Sequence, residues 1–354
     1  MACCGVLALL LTLSCFGTPY RILYRARREL LLLGISSVAA VGLAEVLVRF
    51  VDPLGIGYYA EMKRYRQAQI PDRDLLYKHP AHWSAVLQGV SVSTNEYGFR
   101  DGAIGAKRPG ELRILTLGDS ITFGWGVDES RTFPRRLEAI LGDALNRPVR
   151  IVNAAVAGYN TEQEYEVLRR YYDVLAPDAV ILVVVSNDDE IAVPPESRPT
   201  KREERDRSPP EVLTELRNQV WLYRIIHHLQ LYGRYNDQPV PDSEGWRRAL
   251  AAYESYGKFC EIRRLACVTF FHRMYTSPKN EVLVRAFAQV AQRHGWTFHD
   301  TRSWFPAQND AKPLINSIVD THPNAEGHRI IAENQAKVLI EILQHRQGRL
   351  SEFR

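Results

Sequence analysis

The chain has 354 residues, 45% of them hydrophobic, and carries a formal net charge of +4 at pH 7. This length allows a sizeable core in one large domain or in two smaller ones. Lysine and arginine are scattered along the chain rather than gathered on one helix, so the composition offers no footprint for nucleic acid and we expect none to bind.

The first 51 residues form a hydrophobic region unlike the rest of the chain. Residues 30–48 carry a single charged side chain, Glu45, and at ~1.5 Å per residue they are just long enough to cross roughly 30 Å of hydrocarbon. The run stands ahead of the main body of the chain and has no obvious partner, which weakens the alternative of a buried core helix. We therefore predict a membrane anchor over about residues 30–48.

A second apolar run, at residues 5–16, is too short to span a membrane comfortably and lacks the basic region of a secretory signal. Whether it is a true membrane element stays open. The bias of basic residues toward the cytoplasm places inside the arginines that lie between the two runs, which are Arg21, Arg25, Arg27 and Arg28. We expect a membrane-anchored protein, with one span or two hydrophobic segments, whose main body faces the periplasm or the exterior.

The five cysteines do not form a framework. Three lie in the apolar amino terminus, which leaves Cys260 and Cys267 in the main body with no CxxC motif and no histidine at a metal-ligand spacing. We predict that both are small buried hydrophobic residues, and that the chain needs no metal. An exported location would permit a bridge between them, but a helix end and a strand are unpromising places for one.

From about residue 112 onward, apolar β-rich runs alternate with amphipathic helical patterns, which is typical of βαβ units around a parallel sheet. The predicted strands are 113–117, 149–153, 179–185, 266–271 and 297–299. The predicted helices are 132–145, 161–175, 211–229, 244–265, 281–294 and 325–344. We therefore predict an α/β domain over residues 111–346, a three-layer α/β/α sandwich with a five-stranded, mainly parallel sheet, after a lead-in segment at residues 52–110.

An insert at about residues 190–260 separates the third and fourth predicted strands, and it is far longer than an ordinary connection. It opens with a charged, proline-rich stretch at 194–210 that cannot bury enough surface to pack. An apolar, aromatic helix around Trp221 follows. The insert is either a lid that controls access to the site or a plain surface excursion.

The first predicted strand ends in Gly118-Asp119-Ser120, which places a hydroxyl at the carboxyl end of the sheet, where open α/β folds keep their reactive groups. A serine hydroxyl needs a base to become a nucleophile, and the base needs an orienting group. We expect His322 to be the base and Asp320 the orienting carboxylate, although Asp300 competes for that role. The other histidines are weaker candidates, namely His227, His228, His272, His299 and His328.

Acyl transfer also needs donors aimed at the developing oxyanion. Two further strand ends offer them, because Gly158 follows the second predicted strand and Asn187 follows the third. A glycine can present its backbone amide at close range, and the asparagine amide can donate a hydrogen bond. Taken singly, Gly158 is an ordinary turn glycine and Asn187 an ordinary helix cap, but together with Ser120 and His322 they form a set at one edge of the sheet.

This set resembles the SGNH (GDSL-like) hydrolase superfamily, over roughly residues 95–343. The resemblance implies a flavodoxin-like fold, Ser120 as nucleophile, His322 as base, and an oxyanion hole made by the Ser120 amide, Gly158 and Asn187. It implies no metal and no organic cofactor. The phrase NEYGFRD at residues 95–101 and the run GWGV at 124–127 resemble membrane-anchored bacterial members.

Two positions depart from the family pattern. A glycine commonly stands two residues before the asparagine of the third block, where this chain has Val185. The aspartate is usually three residues before the histidine, where this chain has Val319, so that Asp320 is only two residues away. Some members are thought to use only serine and histidine, so the role of Asp320 is the least secure of the three.

The expected activity is that of a serine esterase or acylhydrolase that cleaves an ester through an acyl-enzyme. The substrate is an acylated carbohydrate or a lipid, since a short site near Trp125 and Tyr159 would suit small acyl groups and the Trp221 region would suit a lipid chain. Two alternatives stay open, a cell-envelope O-acyltransferase that uses the same acyl-enzyme and a catalytically silent envelope-binding protein.

Overall fold

The computed structural model describes residues 26–52, 55–192, 220–221, 243–306 and 312–351. The chain divides into two compact units, one made of residues 1–53 and 209–230 and the other of residues 54–208 and 231–354. The apolar run at 5–16, the proline-rich stretch at 194–210, His227, His228 and all of the predicted helix 211–229 except residues 220–221 lie outside the described residues.

The described part of the first unit is essentially one helix, α1 (Arg27–Val51), which contains the predicted anchor at 30–48. Its one acidic residue within that run, Glu45, accepts a hydrogen bond of 2.8 Å from Arg49 Nε one turn later. Within the described ranges, α1 is the one helix whose length and composition would let it cross a membrane, a test that a signal sequence near the amino terminus also passes.

The second unit is built on a five-stranded sheet with the strands β5 (Leu112–Leu117), β6 (Val149–Asn153), β7 (Ala179–Val184), β8 (Ala266–Phe271) and β9 (Thr297–Asp300). Their order in the sheet is β6-β5-β7-β8-β9, and every neighbouring pair is parallel. All six residues of the central β7 are buried, as expected of a strand that is covered on both faces. The predicted fold class and the five strands are confirmed.

Helices cover both faces of the sheet. The helices are α3 (Ser120–Phe123), α4 (Phe133–Leu145), α5 (Thr161–Leu175), α6 (Glu244–Arg263), α7 (Pro278–His294) and α8 (Ala325–Ser351). Alternate residues of β7 pack into two separate cores. Val180 and the β7 residues on the same face of the sheet pack with α5, α6 and α7. Ile181 and the β7 residues on the opposite face pack with α4 and α8. The result is the three-layer sandwich that the alternating pattern predicts.

The helix starts follow from local capping. Asn160 and Gln163 form a capping box at the start of α5, and Ser243 caps α6. At α7, Ser277 caps the helix and Pro278 occupies its first turn, so α7 begins three residues before the predicted residue 281.

Within the second unit, residues 55–110 of the lead-in segment contain one helix and two antiparallel hairpins. These elements are α2 (Gly57–Ala68), β1 (Ile70–Asp72), β2 (Leu76–Lys78), β3 (Ser84–Leu87) and β4 (Val90–Ser93). Tyr65 of α2 belongs to a small core together with Phe123 and Trp125, which lie a few residues after Ser120. The lead-in segment therefore packs against the edge of the sheet where the site is predicted.

The prediction of two unpaired cysteines in the main body was wrong. Cys260, in the last turn of α6, is joined by a disulfide to Cys267, the second residue of β8, with a Cα–Cα distance of 6.1 Å. Arg264 ends the helix in the left-handed conformation, with φ of 53°, and turns the chain straight into the strand. The helix end and the strand, which argued against a bridge, are thereby placed side by side.

Candidate active site

Ser120 is the first residue of the short helix α3, directly after β5. Gly118 sits in the turn between them with φ of 155°, and a Cβ there would meet the Thr122 hydroxyl oxygen at 2.1 Å, so only glycine fits. Asp119 caps α3, because its Oδ1 accepts a 3.0 Å hydrogen bond from the Ile121 amide. The serine is held at the carboxyl edge of the sheet with 8% of its surface exposed.

His322 lies within hydrogen-bond distance of the serine. Its Nε2 is 2.8 Å from Ser120 Oγ, and its Nδ1 is 2.5 Å from Asp320 Oδ1. The hydroxyl also has a second acceptor, since Asp119 Oδ2 is 3.0 Å from Ser120 Oγ. Serine, imidazole and carboxylate thus form one continuous chain of contacts.

A tight loop before α8 fixes the position of the histidine. The Asn316 amide donates to the His322 carbonyl at 3.0 Å, and the Ser317 amide donates to the Asp320 carbonyl at 3.0 Å. Asn316 Nδ2 donates to Asp320 Oδ2 at 3.1 Å and to the Trp125 carbonyl at 3.0 Å. Both oxygens of the Asp320 carboxylate are therefore held, and the loop is fastened to the segment that follows Ser120.

Asp300, the competing carboxylate, is engaged elsewhere. It forms a two-point ion pair with Arg273, at 2.8 and 2.5 Å, and it accepts from the Arg302 amide. Among the described histidines, His272 and His328 are buried, and burial is the first cause that lowers the pKa of each to about 3. His328 accepts a hydrogen bond from the Phe133 amide at 3.0 Å, which is a structural role.

Two electrostatic effects change the pKa of His322 in opposite directions. Burial acts to lower the pKa of His322, but the adjacent Asp320 carboxylate outweighs it by charge and by hydrogen bond, and Asp119 adds to the same side. The pKa of His322 is therefore raised above its ordinary value of 6.5. The same two carboxylates would stabilise an imidazolium formed during a reaction.

Gly158 and Asn187 lie in the loops that follow β6 and β7, the two strands that flank β5. These loops are joined to each other, because Thr161 Oγ1 donates to Asp188 Oδ2 at 2.7 Å and Asn160 Nδ2 donates to the Glu190 carbonyl at 2.8 Å. Within the described part of the chain, neither the Gly158 backbone amide nor the Asn187 side chain makes a hydrogen bond. The N–H groups of both are therefore available to donate hydrogen bonds to a bound substrate.

The sequence analysis missed Tyr58 of α2. Its ring lies over the catalytic candidates, with its centroid 5.9 Å from that of His322 and 6.1 Å from that of Trp125. No pattern in the sequence marks this residue. Trp125 and Tyr159, which were expected to line a short open site, are each only 1% exposed and are packed in the interior.

Arg100, within the NEYGFRD phrase, is a buried cation that supports the loop after Ser120. Its guanidinium donates to the carbonyls of Phe123, Gly124 and Val127, at 3.0, 2.6 and 2.7 Å. Burial lowers the pKa of Arg100 to about 10, so that it keeps its charge at neutral pH. These contacts give the NEYGFRD phrase a physical role.

Two carboxyl groups are buried beneath the loops, Glu164 of α5 and Asp188. Asp188 accepts hydrogen bonds from the Val185 amide and the Thr161 hydroxyl, whereas neither oxygen of Glu164 has a hydrogen-bond partner within the described ranges. Burial and the neighbouring carboxylates, Asp119 among them, raise the pKa of both groups well above the ordinary range. Asp188 has two donors that favour its charged form, so we expect the pair to hold its proton on Glu164.

The residues that the structure describes contain no cluster of three or more His, Cys, Asp or Glu side chains able to hold a metal ion. A hydroxyl, a base and an orienting carboxylate in one chain of contacts can carry out nucleophilic acyl transfer.

Several solved structures are similar to this chain. They include TesA, with 15% identity, a TM-score of 0.42 and coverage of 65% of this chain and 99% of that one. The psychrotrophic esterase EstA from Pseudoalteromonas sp. has 12% identity, a TM-score of 0.42 and coverage of 66% and 99%. A catalytic mutant of Axe2, an acetylxylan esterase from Geobacillus stearothermophilus, has 18% identity, a TM-score of 0.37 and coverage of 65% and 93%. No curated protein matches the chain.

Residues 116–330, more than half of the chain, match the model of the GDSL-like lipase/acylhydrolase family. That segment runs from β5 into α8 and contains Ser120, Gly158, Asn187, Asp320 and His322. The chain therefore belongs to the GDSL-like lipase/acylhydrolase family and is a carboxylic ester hydrolase.

Proposed function

We propose that the protein cleaves a carboxylic ester through an acyl-enzyme on Ser120, with His322 as the general base and Asp320 as the group that orients it. The observation that carries the proposal is the contact chain from Ser120 Oγ to His322 Nε2 at 2.8 Å and from His322 Nδ1 to Asp320 at 2.5 Å. In this arrangement Asp320 fixes the proton on Nδ1, which leaves the lone pair of Nε2 facing the hydroxyl.

The first half of the reaction forms the acyl-enzyme. His322 Nε2 takes the proton of Ser120 as its oxygen bonds to the acyl carbon, and the carbonyl electron pair moves to the former carbonyl oxygen. When this tetrahedral intermediate collapses, the bond to the alcohol oxygen breaks and His322 returns the proton to the leaving alcohol. A water molecule then repeats the sequence on the acyl-enzyme, and it releases a carboxylic acid and the free serine.

The oxyanion would be held by three donors, the backbone amides of Ser120 and Gly158 and the side-chain amide of Asn187. The support is that each comes from a loop at the carboxyl end of one of three adjacent strands. The Ser120 amide, like the other two groups, makes no hydrogen bond within the described part of the chain. Donors that are already in place need no reorganisation when the charge develops.

We also infer that the natural substrate carries a short acyl group, of which an acetylated carbohydrate is an example. The support is the low exposure of the reacting groups in the described residues, where Ser120 is 8% exposed, the His322 side chain 16%, and the Tyr58 ring packs beside the imidazole. The full chain in detergent should hydrolyse p-nitrophenyl acetate with a higher kcat/KM than p-nitrophenyl octanoate. A preference for octanoate would contradict this inference and favour a lipid substrate.

The nucleophile is tested by covalent labelling. A fluorophosphonate probe should add once to the full chain, and the label should be absent in Ser120→Ala. Ser255→Ala, which removes a hydroxyl that donates to the Ala251 carbonyl on α6, is the matched control and should label like the wild type. Undiminished labelling of Ser120→Ala, or none of the wild type, would contradict the proposed function.

A further inference from the structure

Two buried tyrosines of the lead-in segment form hydrogen bonds with the loop that carries Gly158. The lead-in segment itself lies outside the residues that match the family model. Tyr65 of α2 and Tyr77 of β2 are 0% and 1% exposed. The Tyr77 hydroxyl donates to the Gly158 carbonyl at 2.7 Å, and the Tyr65 hydroxyl accepts from the Ala157 amide at 2.8 Å. The two hydroxyls thus hold the peptide groups on either side of the one that contains the Gly158 amide.

The hydrogen atoms around Tyr65 have one consistent arrangement. His79 Nδ1 is 2.9 Å from the Gly98 carbonyl, which can only accept, so Nδ1 carries a proton. Burial lowers the pKa of His79 to about 4, so the ring is neutral and Nε2 is a free acceptor. The Tyr65 hydroxyl, 2.6 Å from Nε2, therefore donates to His79, and its oxygen remains to accept from Ala157.

The position of Tyr77 is fixed by two contacts with Tyr159. The Tyr159 hydroxyl donates to the Tyr77 carbonyl at 2.6 Å, and the two rings pack with centroids 5.4 Å apart. Gly158, between these contacts, has φ of 90°, a conformation that other residues rarely adopt. The orientation of the Gly158 peptide is therefore fixed on both sides, while its own amide makes no hydrogen bond within the described part of the chain.

These two hydroxyls are not needed to fasten the lead-in segment to the domain. Asp72 forms a two-point ion pair with Arg170 of α5, at 2.9 and 2.8 Å. Gln163 Nε2 donates to the Leu75 carbonyl at 2.6 Å, and Asp101 accepts from the Asn153 amide at 3.0 Å. Because the segment is anchored at several other points, removal of one hydroxyl should leave it in place.

We propose that Tyr65 and Tyr77 are positioning residues, which aim the backbone amide of Gly158 at the oxyanion of the tetrahedral intermediate. The proposal rests on the proposed function, since it assumes that Gly158 is an oxyanion donor. It gives the lead-in segment a part in catalysis although none of its residues is required to touch the reacting atoms. A small misplacement of such a donor is enough to slow acyl transfer strongly.

The test compares an ester with its thionoester in the full chain. The sulfur of a thionoester is a poor hydrogen-bond acceptor, so its hydrolysis gains little from the oxyanion hole. Tyr77→Phe should lower kcat on the oxygen ester by about tenfold to a hundredfold with KM unchanged, and should leave the rate on the thionoester nearly unchanged. Tyr65→Phe should show the same selective loss.

Tyr253→Phe is the matched control, because Tyr253 is fully buried in α6 and its hydroxyl makes no hydrogen bond to the Gly158 loop in the described residues. It should leave both rates unchanged, and thermal melting should show that all variants fold. Equal slowing of both substrates by Tyr77→Phe, or no slowing of either, would overturn the proposal. Ser120→Ala, run beside them, tests the proposed function separately, because its full activity would refute the acyl-enzyme whatever the tyrosine variants do.

Discussion

The hydroxyl oxygen of Ser120 lies 2.8 Å from Nε2 of His322, although the two residues are 202 positions apart in the chain. The parallel sheet accounts for this, because all five strands point their carboxyl ends to the same edge. Ser120 follows the second strand in spatial order, and the loop before α8 brings His322 back over it. The contact therefore depends on the assembled sheet rather than on any local segment.

We expect kcat/KM to rise with pH through the pKa of His322, because only the neutral imidazole can accept the serine proton. Asp320 raises this pKa, so Asp320→Asn should move the acidic limb of the profile to lower pH and reduce the plateau by about a hundredfold. The measurement is kcat/KM against pH for both proteins. Asp300→Asn removes a carboxylate that pairs with Arg273 and should leave the midpoint in place; a shift there and none in Asp320→Asn would refute the assignment.

Loss of the Tyr58 ring should move the acidic limb of the pH profile in the opposite direction from Asp320→Asn. Its ring shields His322 from water, and burial is what acts to lower the pKa of that imidazole. Tyr58→Ala should therefore raise the pKa of His322 further and move the acidic limb to higher pH. Tyr58→Phe, which keeps the ring, should behave like the wild type. A limb that moves to lower pH in Tyr58→Ala would show that the ring does not act by excluding water.

Glu164 should make the folded domain less stable as the pH rises. Its pKa is raised above the ordinary 4.5 by burial and then by Asp188, so the folded state binds a proton that the unfolded state releases. Between 4.5 and the raised pKa, the free energy of unfolding should fall by up to about 1.4 kcal/mol per pH unit.

Glu164→Gln should remove this slope and stabilise the protein at neutral pH, as measured by denaturant unfolding at several pH values. Glu166→Gln, on the same helix and paired with Arg169, controls for the loss of a carboxylate at the surface. A slope that persists unchanged in Glu164→Gln would show that the proton is held elsewhere.

The disulfide should contribute stability without contributing to catalysis. It closes a short loop at the start of β8, whereas the site lies at the carboxyl ends of the strands. Replacement of Cys260 and Cys267 by serine should cost about 2 kcal/mol of unfolding free energy and leave kcat unchanged. Reductant should lower the melting temperature of the wild type and not that of the double variant; an equal effect on both would mean that the bridge does not form.

The sequence predicted the sheet well because its strands are short apolar runs that alternate with amphipathic helices. It also predicted that Ser120 and His322 lie close together, because Ser120 stands at the edge where the parallel strands end and His322 stands just before the last helix. The choice between Asp320 and Asp300 could not be made from the sequence, because each has a suitable position. What separates them is the ion pair of Asp300 with Arg273, a contact between residues 27 positions apart.

The other residues of the site could not be predicted from the sequence, because their roles depend on tertiary packing. Tyr58, Tyr65 and Tyr77 have no spacing that marks them, and their roles arise only when α2 and β2 dock on the loops of the sheet. The disulfide was missed for a similar reason. The turn at Arg264, a non-glycine residue in the left-handed conformation, has no clear signal in the sequence.

The most direct test of the account is to trap the acyl-enzyme. The full chain is mixed with p-nitrophenyl acetate, quenched in acid at short times, and mapped by peptide mass spectrometry. We predict one acetyl group, on Ser120, that appears with the burst of nitrophenol and is absent from Ser120→Ala and His322→Ala. Acetylation of a different residue, or turnover by Ser120→Ala at the wild-type rate, would contradict the assignment of Ser120 as the nucleophile.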